Sequence, residues 1–269
     1  MLRSLTIIYV LTALATCSQA LAGPRTDVVK ATYRVAAEGS TATAFVIHRE
    51  DAEGKRQRFL VTAAHVLSTM QGENMTLLAR HQDEDAVSRV ELSIAIRKGD
   101  EALWTAHPDE DIAVLPLADD VDPIESIPMD MLATPEDWRE QAWEPGTAIW
   151  SIGFPHGAIF DPDPRGYPLT RQGCLATFPH VPTAAASRFT VEYNTFEGDS
   201  GGPVLLLSES DRSQGWVIGL VHGQHFINDN YKLVYSEGTT RHRLGMCIVI
   251  GSPLIRETIE SVIKDKSND

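Results

Sequence analysis

The segment Gly-Asp-Ser-Gly-Gly-Pro at residues 198–203 constrains this chain more than any other feature of the sequence. Glycines on both sides of Ser200 allow a sharp backbone turn and keep side chains away from the neighbouring N–H groups. A nucleophilic serine needs such features, namely an accessible hydroxyl and backbone donors aimed at the oxyanion it creates. Short Gly- and Ser-containing strings also form ordinary surface turns, so the meaning of this one depends on partners elsewhere.

Two upstream segments offer a base and an acid. His65 ends the apolar run 59–65, and this pattern places its imidazole at the end of a buried strand. Asp111 ends an acidic cluster and leads directly into an apolar run, where its carboxylate can accept from the Nδ1–H of a histidine. Asp109 is the alternative acid, but it lies further from the apolar run.

The segments around these three residues resemble the motifs of the trypsin-like (chymotrypsin-fold) serine proteases. The order His, Asp, Ser along the chain matches that family and differs from subtilisins and α/β-hydrolases. The resemblance implies that Ser200 is the nucleophile, that His65 is the general base and then acid, and that Asp111 holds the imidazole tautomer. It also implies an oxyanion hole made by the backbone N–H groups of Gly198 and Ser200.

The fold is expected to be all-β, because short β-prone segments alternate with Gly, Pro, Asp and Ser turns. The resemblance specifies two six-stranded antiparallel Greek-key barrels followed by a C-terminal α-helix, with the substrate between the barrels. Thr134 followed by proline predicts a helix start within the connection. The predicted layout is a signal peptide at 1–22, a first barrel at 23–118, a connection at 119–144, a second barrel at 145–251 and a helix and tail at 252–269.

The N-terminus has the pattern of a secretory signal. Arg3 precedes an apolar stretch, 5–14, that is too short to span a bilayer, and a small-x-small site follows at 20–22. We therefore expect export and a mature chain that begins at Gly23. A lipoprotein signal, which would retain Cys17, is the alternative. No other segment is long and apolar enough to predict a membrane span.

The formal net charge of -14 argues against nucleic acids and anionic membranes as partners. The expected partner is a protein or peptide substrate, no cofactor is expected, and the oligomeric state stays open. Two cysteines remain after signal removal, Cys174 and Cys247, which could pair or stay as buried thiols. So few cysteines are typical of the bacterial-type branches of the family.

The sequence says less about specificity. By motif alignment, Asn194 takes the position of an aspartate in arginine- and lysine-cutting relatives, which disfavours a basic side chain. Thr195 and His222 are similar to residues that recognise glutamate in glutamyl endopeptidases, whereas Glu197 near the pocket mouth would repel an acid. With Gly223 these residues form the candidate pocket, and a small or medium neutral residue is the expected preference.

Three further expectations concern metals, activation and activity. His222 and His225 could be read as a metal pair, but a metal needs more ligands, so no metal site is expected. No inserting N-terminus of the animal zymogen type is present, so Asp199 is expected to be satisfied internally. The leading hypothesis is a secreted serine endopeptidase. The alternatives are a catalytically silent module that binds peptides in the cleft and an esterase.

Overall fold

The computed structural model describes residues 23–83, 86–157, 159–161, 163–178, 186–211 and 213–266. The described chain is mostly strands with few helices, which confirms the predicted all-β, chymotrypsin-like class. The predicted signal peptide, 1–22, lies outside these residues. Within them, no helix is both long and apolar enough to span a bilayer.

The first ten strands belong to the amino-terminal half. They are β1 (Thr32–Ala37), β2 (Ser40–Glu50), β3 (Arg56–Thr62), β4 (Asn74–Gln82), β5 (Val87–Ala95), β6 (Arg97–Lys98), β7 (Glu101–Ala102), β8 (Thr105–Ala106), β9 (Ala113–Leu117) and β10 (Ile127–Pro128). One sheet runs in the order β5-β4-β1-β2-β3-β9-β8, with β10 beside β2, while β6 pairs with β7 alone. This sheet has eight strands rather than the six that the resemblance implies, because it includes two-residue strands such as β8 and β10, and β10 pairs with β2 in parallel rather than antiparallel. No ladder among the described residues joins β5 to β8.

The second half forms a closed barrel of six antiparallel strands, as expected. Its strands are β11 (Ala148–Gly153), β12 (Leu169–Leu175), β13 (Arg188–Glu192), β14 (Pro203–Leu207), β15 (Gly215–Lys232) and β16 (Glu237–Gly251). They close in the order β11-β12-β13-β16-β15-β14. The domain limits given above stay a prediction.

Strands β15 and β16 continue well beyond the barrel as a two-stranded hairpin. Their outer pairing runs from Phe226 opposite Arg243 to Lys232 opposite Glu237. The sequence predicts strands only up to His222 and again from residue 245. Beyond these limits the two strands are extended by pairing with each other, which a local pattern does not encode.

The described residues also contain four α-helices, α1 (Pro24–Lys30), α2 (Ala64–Thr69), α3 (Pro135–Glu140) and α4 (Ser252–Lys266), together with a 3-10 helix at Met129–Met131. Helix α3 begins as predicted, and Thr134 and Asp137 form a capping box. Helix α4 contacts β8 and β9 of the first half as well as β15 and β16 of the second. It therefore ties the two halves together.

The two cysteines of the barrel are both free thiols. Cys174 lies in β12 and Cys247 in β16, and β13 pairs with both strands and separates them. Neighbouring strands lie about 4.8 Å apart, so the two residues are about 10 Å apart, beyond the roughly 7 Å reach of a disulfide. Burial raises the pKa of the Cys247 thiol to about 12.

Candidate active site

His65 lies at the start of helix α2, one turn beyond the strand end where the sequence placed it. Strand β3 ends at Thr62, and the backbone then enters the helix at Ala64. Val66 and Leu67 are buried and anchor the short helix to the core, while His65 is on its exposed side. The core contacts of α2 therefore fix the backbone that carries the imidazole.

Asp111 binds His65 through both carboxylate oxygens. Oδ1 accepts from the backbone N–H of His65 at 2.7 Å, and Oδ2 lies 2.5 Å from its Nδ1. A carboxylate without a proton only accepts hydrogen bonds, so Nδ1 carries the hydrogen and Nε2 of the neutral ring keeps a lone pair. This is the tautomer that a general base acting through Nε2 requires.

The loop before β9 separates its three acidic side chains. The Nδ1 atom of buried His107 accepts from the N–H groups of Asp109 at 3.1 Å and Glu110 at 3.0 Å, which fixes the turn. Asp109 is exposed, and Glu110 accepts from Arg188 of the second barrel at 2.8 Å. Of the three, Asp111 is the one that contacts His65, so the geometry favours it over Asp109.

His222 lies beside Asp111, although the sequence analysis placed it in the substrate pocket. Its Nδ1 is 2.7 Å from Oδ2 of Asp111, the same oxygen that binds His65. The backbone N–H of Gly201 donates to Val221 at 2.8 Å, so the residue after Val221 is brought to the site by its strand. Position 222 in β15 carries no sequence signal for this contact, because it depends on how the two halves meet.

The two histidines control the ionisation of Asp111. Burial alone would raise its pKa, but hydrogen bonds from His222 and His65 outweigh that effect and hold the pKa well below its usual value. Asp111 is therefore a carboxylate at neutral pH and can accept from both rings. The two rings meet edge to face, with centroids 6.2 Å apart.

The same three side chains are the candidate metal ligands of this region, since their ligand atoms lie within 4.8 Å of one another. However, Oδ2 is only 2.5 Å and 2.7 Å from the two Nδ1 atoms. Ligands of a tetrahedral zinc with bonds of about 2.0–2.1 Å are roughly 3.3 Å apart. The observed spacing is that of hydrogen bonds, and a metal would have to spread the group.

The loop around Ser200 is held in a turn that only glycine fits. Gly198 has φ +95°, and a Cβ there would collide with the carbonyl oxygen of Phe154. The carbonyl of Glu197 accepts from the N–H of His156 at 2.6 Å. Because C=O and N–H point oppositely across a trans peptide, the Gly198 N–H points away from that contact. In the described part of the chain, no hydrogen bond engages the N–H of Gly198 or Ser200.

Ser200, His65 and Gly198 line one open cleft of about 510 Å³, which also contains Glu197 and His156. No hydrogen bond joins the Ser200 hydroxyl to the His65 ring among the described residues. Catalytic hydrogen bonds are often long without a substrate and tighten in the complex. The structure thus brings the predicted nucleophile, base and oxyanion donors together in a single cleft.

Asp199, next to Ser200, is buried and paired inside the molecule. Its Oδ1 lies 2.5 Å from a guanidinium nitrogen of Arg171 in β12, and its Oδ2 accepts from the N–H of Phe196 at 2.8 Å. Arg171 also donates to the carbonyl of Asn194 at 3.0 Å. One arginine therefore fixes the loop on both sides, a partner that the sequence analysis did not identify.

The remaining candidate pocket residues differ in the burial and the hydrogen bonding of their side chains. Thr195 is buried and its hydroxyl donates to Asp199 at 3.3 Å, so this hydroxyl stabilises the Ser200 loop. The side chain of Asn194 is exposed near Gly245, while Glu197 is exposed at the cleft. Gly223 is half-buried with open space where a Cβ would stand. Their contribution to specificity stays a prediction.

Comparison with known proteins places this geometry in a family. One structure of the M. tuberculosis protease Rv3671c in inactive form is 16% identical to this chain, and the match covers 87% of this chain and 89% of that one, with a TM-score of 0.45. A second structure of the inactive form is 15% identical, and the match covers 89% of this chain and 90% of that one, also with a TM-score of 0.45. The scabies mite inactivated protease paralogue S-I1 is 17% identical, covering 90% of this chain and 99% of its own, with a TM-score of 0.49. No curated protein sequence matches the chain. A model of the trypsin-like peptidase domain matches residues 42–220, and the chain belongs to that family.

Proposed function

We propose that this chain is an exported serine endopeptidase that hydrolyses peptide bonds through an acyl-enzyme on Ser200. The observation that carries the proposal is the shared cleft of Ser200 and His65, in which Asp111 holds the Nδ1 of His65. The family assignment supports a protease-type hydrolase. The N-terminal sequence supports export.

In the proposed reaction, Oγ of Ser200 attacks the carbonyl carbon of the scissile bond while Nε2 of His65 takes its proton. The oxyanion accepts from the N–H groups of Gly198 and Ser200, which are free of other partners within the described residues. The imidazolium of His65, stabilised by ionised Asp111, then gives the proton to the leaving amine and the C–N bond breaks. A water molecule, deprotonated by His65, then attacks the acyl carbon. The ester bond to Oγ breaks, the acid product leaves, and His65 returns the proton to Oγ of Ser200.

The fixed loop also supports activity without an activating cut. Asp199 has its cation in Arg171, so no newly formed N-terminus is needed to pair with it. We expect the chain that begins at Gly23 to react as it stands. Labelling that appeared only after limited proteolysis would contradict this part of the proposal.

A serine-directed fluorophosphonate probe and a peptide library test the proposal. The chain from Gly23 should be labelled once and should cleave peptides, while Ser200→Ala should abolish labelling and lower kcat on the order of a millionfold. Ser261→Ala, on helix α4 and bonded to Thr258, is the matched control and should behave as the parent. Absence of both labelling and cleavage in a folded protein would favour a silent peptide-binding module instead.

A further inference from the structure

Thr43 in strand β2 is a buried threonine whose polar atoms are all engaged. Its N–H donates to the carbonyl of Ser200 at 3.0 Å, and its own carbonyl accepts from the Thr62 hydroxyl at 2.8 Å. Its hydroxyl donates to the carbonyl of Gly198 at 2.7 Å and accepts from the N–H of Phe154 at 3.0 Å. The side chain is fully buried, so these bonds are shielded from water.

The hydroxyl of Thr43 therefore joins two segments of the second half to a strand of the first. A hydroxyl can donate one hydrogen bond and accept others, and here it does both. Removing it would leave a buried carbonyl at Gly198 and a buried N–H at Phe154 without a partner. Such unpaired buried groups are unfavourable, so the loop would shift to satisfy them.

These contacts set the peptide planes on both sides of Gly198. The preceding peptide has its carbonyl, from Glu197, held by the N–H of His156 at 2.6 Å. The following peptide has its carbonyl, from Gly198 itself, held by Thr43. Phe154 and His156 lie on one short segment. By accepting from the N–H of Phe154, Thr43 therefore also anchors the segment whose His156 binds the Glu197 carbonyl.

The approach of β2 to the loop is also sterically fixed. A Cβ on Gly201 would overlap the Thr62 hydroxyl and the carbonyl of Thr43, and one on Gly202 would come within 3.3 Å of the Thr43 methyl group. The two glycines after Ser200 thus let β2 lie directly against the loop backbone. The glycines of the Gly-Asp-Ser-Gly-Gly-Pro segment therefore also form the surface against which Thr43 packs.

We propose that Thr43 is a positioning residue for the oxyanion-binding loop. Its hydroxyl, supplied by the first half, fixes the Gly198 carbonyl, which belongs to the peptide that lies between the two peptides carrying the N–H groups of Gly198 and Ser200. Fixing this central peptide keeps both N–H groups turned to the position of the oxyanion. This role rests on the proposed function of the cleft. Losing one oxyanion donor typically lowers kcat about a hundredfold to a thousandfold, and loss of the group that orients the donors is expected to lower it roughly ten- to a hundredfold.

The kinetic test compares three variants of the chain from Gly23. Thr43→Val keeps the shape and removes the hydroxyl, and it should lower kcat with KM within about twofold, because the defect arises in the transition state. Thr43→Ser should retain kcat near that of the parent. Thr32→Val is the matched control: Thr32 is equally buried, and its hydroxyl donates to Val28 at 2.6 Å, away from the cleft.

Two outcomes would overturn the proposal: an unchanged kcat in Thr43→Val, or an equal fall in Thr32→Val, which would mean that lost stability alone explains the effect. Thermal unfolding of each variant verifies that the measured protein is folded. Should Thr43→Val not fold, Thr43→Ala replaces it with the same expected loss of kcat.

A second readout does not require activity and so separates this proposal from the proposed function. On the Ser200→Ala background, Thr43→Val should speed amide hydrogen exchange at Phe154 and in segment 196–202, whereas Thr43→Ser and Thr32→Val should not. If the parent proves inactive but this exchange pattern appears, the positioning role stands and the proposed function fails. Unchanged exchange in Thr43→Val would refute the positioning role.

Discussion

At the scale of single residues, the site depends on one carboxylate that serves two imidazoles. Oδ2 of Asp111 lies 2.5 Å from His65 and 2.7 Å from His222, while Oδ1 binds the backbone of His65. These contacts fix the position of the carboxylate beside His65. His222 therefore acts through Asp111 and does not itself touch the reacting atoms in the proposed mechanism.

Replacing His222 tests this arrangement. In His222→Leu the carboxylate loses a hydrogen bond to a charged acceptor, a loss of about 1.5–3 kcal/mol, so kcat should fall on the order of tenfold or more while KM changes little. His222→Asn keeps a donor near the position of Nδ1 and should retain most of kcat. Steady-state kinetics on the best library peptide decide, and parental kcat in His222→Leu would exclude the role.

Arg171 carries a second residue-scale prediction. Its partner Asp199 is 1% exposed, so Arg171→Met leaves a buried carboxylate without its cation. Breaking a buried pair from one side typically destabilises a protein by about 3–5 kcal/mol. Urea unfolding should show a loss of that size, and fluorophosphonate labelling should fall with it.

The double variant Arg171→Met with Asp199→Asn is the control for that prediction. It removes both charges, so it should recover a large part of the lost stability but not the labelling, because the bonds from Arg171 to residue 199 and to the Asn194 carbonyl are both lost. Equal stability of the single and double variants would show that the unpaired charge of Asp199 is not what destabilises Arg171→Met.

The sequence predicted some of these residues and missed others for one reason. His65, Asp111 and Ser200 lie in local motifs, and the structure brings them to one cleft. Arg171 and Thr43 lie in ordinary strands and reach the site only through pairing across the fold. Their importance depends on long-range contacts, which a local pattern does not encode.

At the scale of secondary-structure elements, periodicity predicted strands with a strong local signal. The sequence predicts strands at 148–153 and 203–207, and β11 and β14 have these limits, while α3 starts at the predicted cap, Thr134. By contrast, β1 is missing from the predicted strands, and β15 was expected to end at residue 222 rather than Lys232. The outer part of that hairpin is exposed on both strands, including apolar side chains such as Ile227 and Tyr231, so the core imposes no alternation on its sequence.

The strand order of the barrel predicts the state of the cysteines. Because β13 lies between β12 and β16, Cys174 and Cys247 cannot meet. The chain from Gly23 should therefore titrate two thiols after denaturation without reductant. In the native protein Cys247 should react far more slowly than Cys174 with a maleimide at pH 8, because Cys247 is fully buried with a pKa of about 12. A single disulfide in a mass spectrum of the non-reduced protein would contradict this strand order.

At the scale of the whole molecule, the two halves meet through polar contacts that also build the site. Asp111 of the first half binds His222 of the second, and the adjacent Glu110 accepts from Arg188 in β13. Thr43 adds its hydrogen bonds to the Ser200 loop. The contacts that join the halves therefore also position the groups of the cleft, and the ionisation of these acids should affect both.

Because Glu110 joins the two halves, its ionisation should make the stability of the protein depend on pH. Burial alone would raise its pKa, but hydrogen bonds from Ser187 and Arg188 and the Arg188 charge outweigh it and hold the pKa below its usual 4.5. A lowered folded-state pKa means that the ionised group stabilises the folded state fully above pH 4.5, and that this contribution is lost as the pH falls through the folded value.

Glu110→Gln should thus lower the free energy of unfolding by about 1–2 kcal/mol at pH 7, and the difference from the parent should shrink towards pH 3. Urea unfolding across this range measures it, with exposed Glu136→Gln on α3 as the control. A difference that stayed constant or grew on acidification would mean that Glu110 does not join the halves as an ionised group.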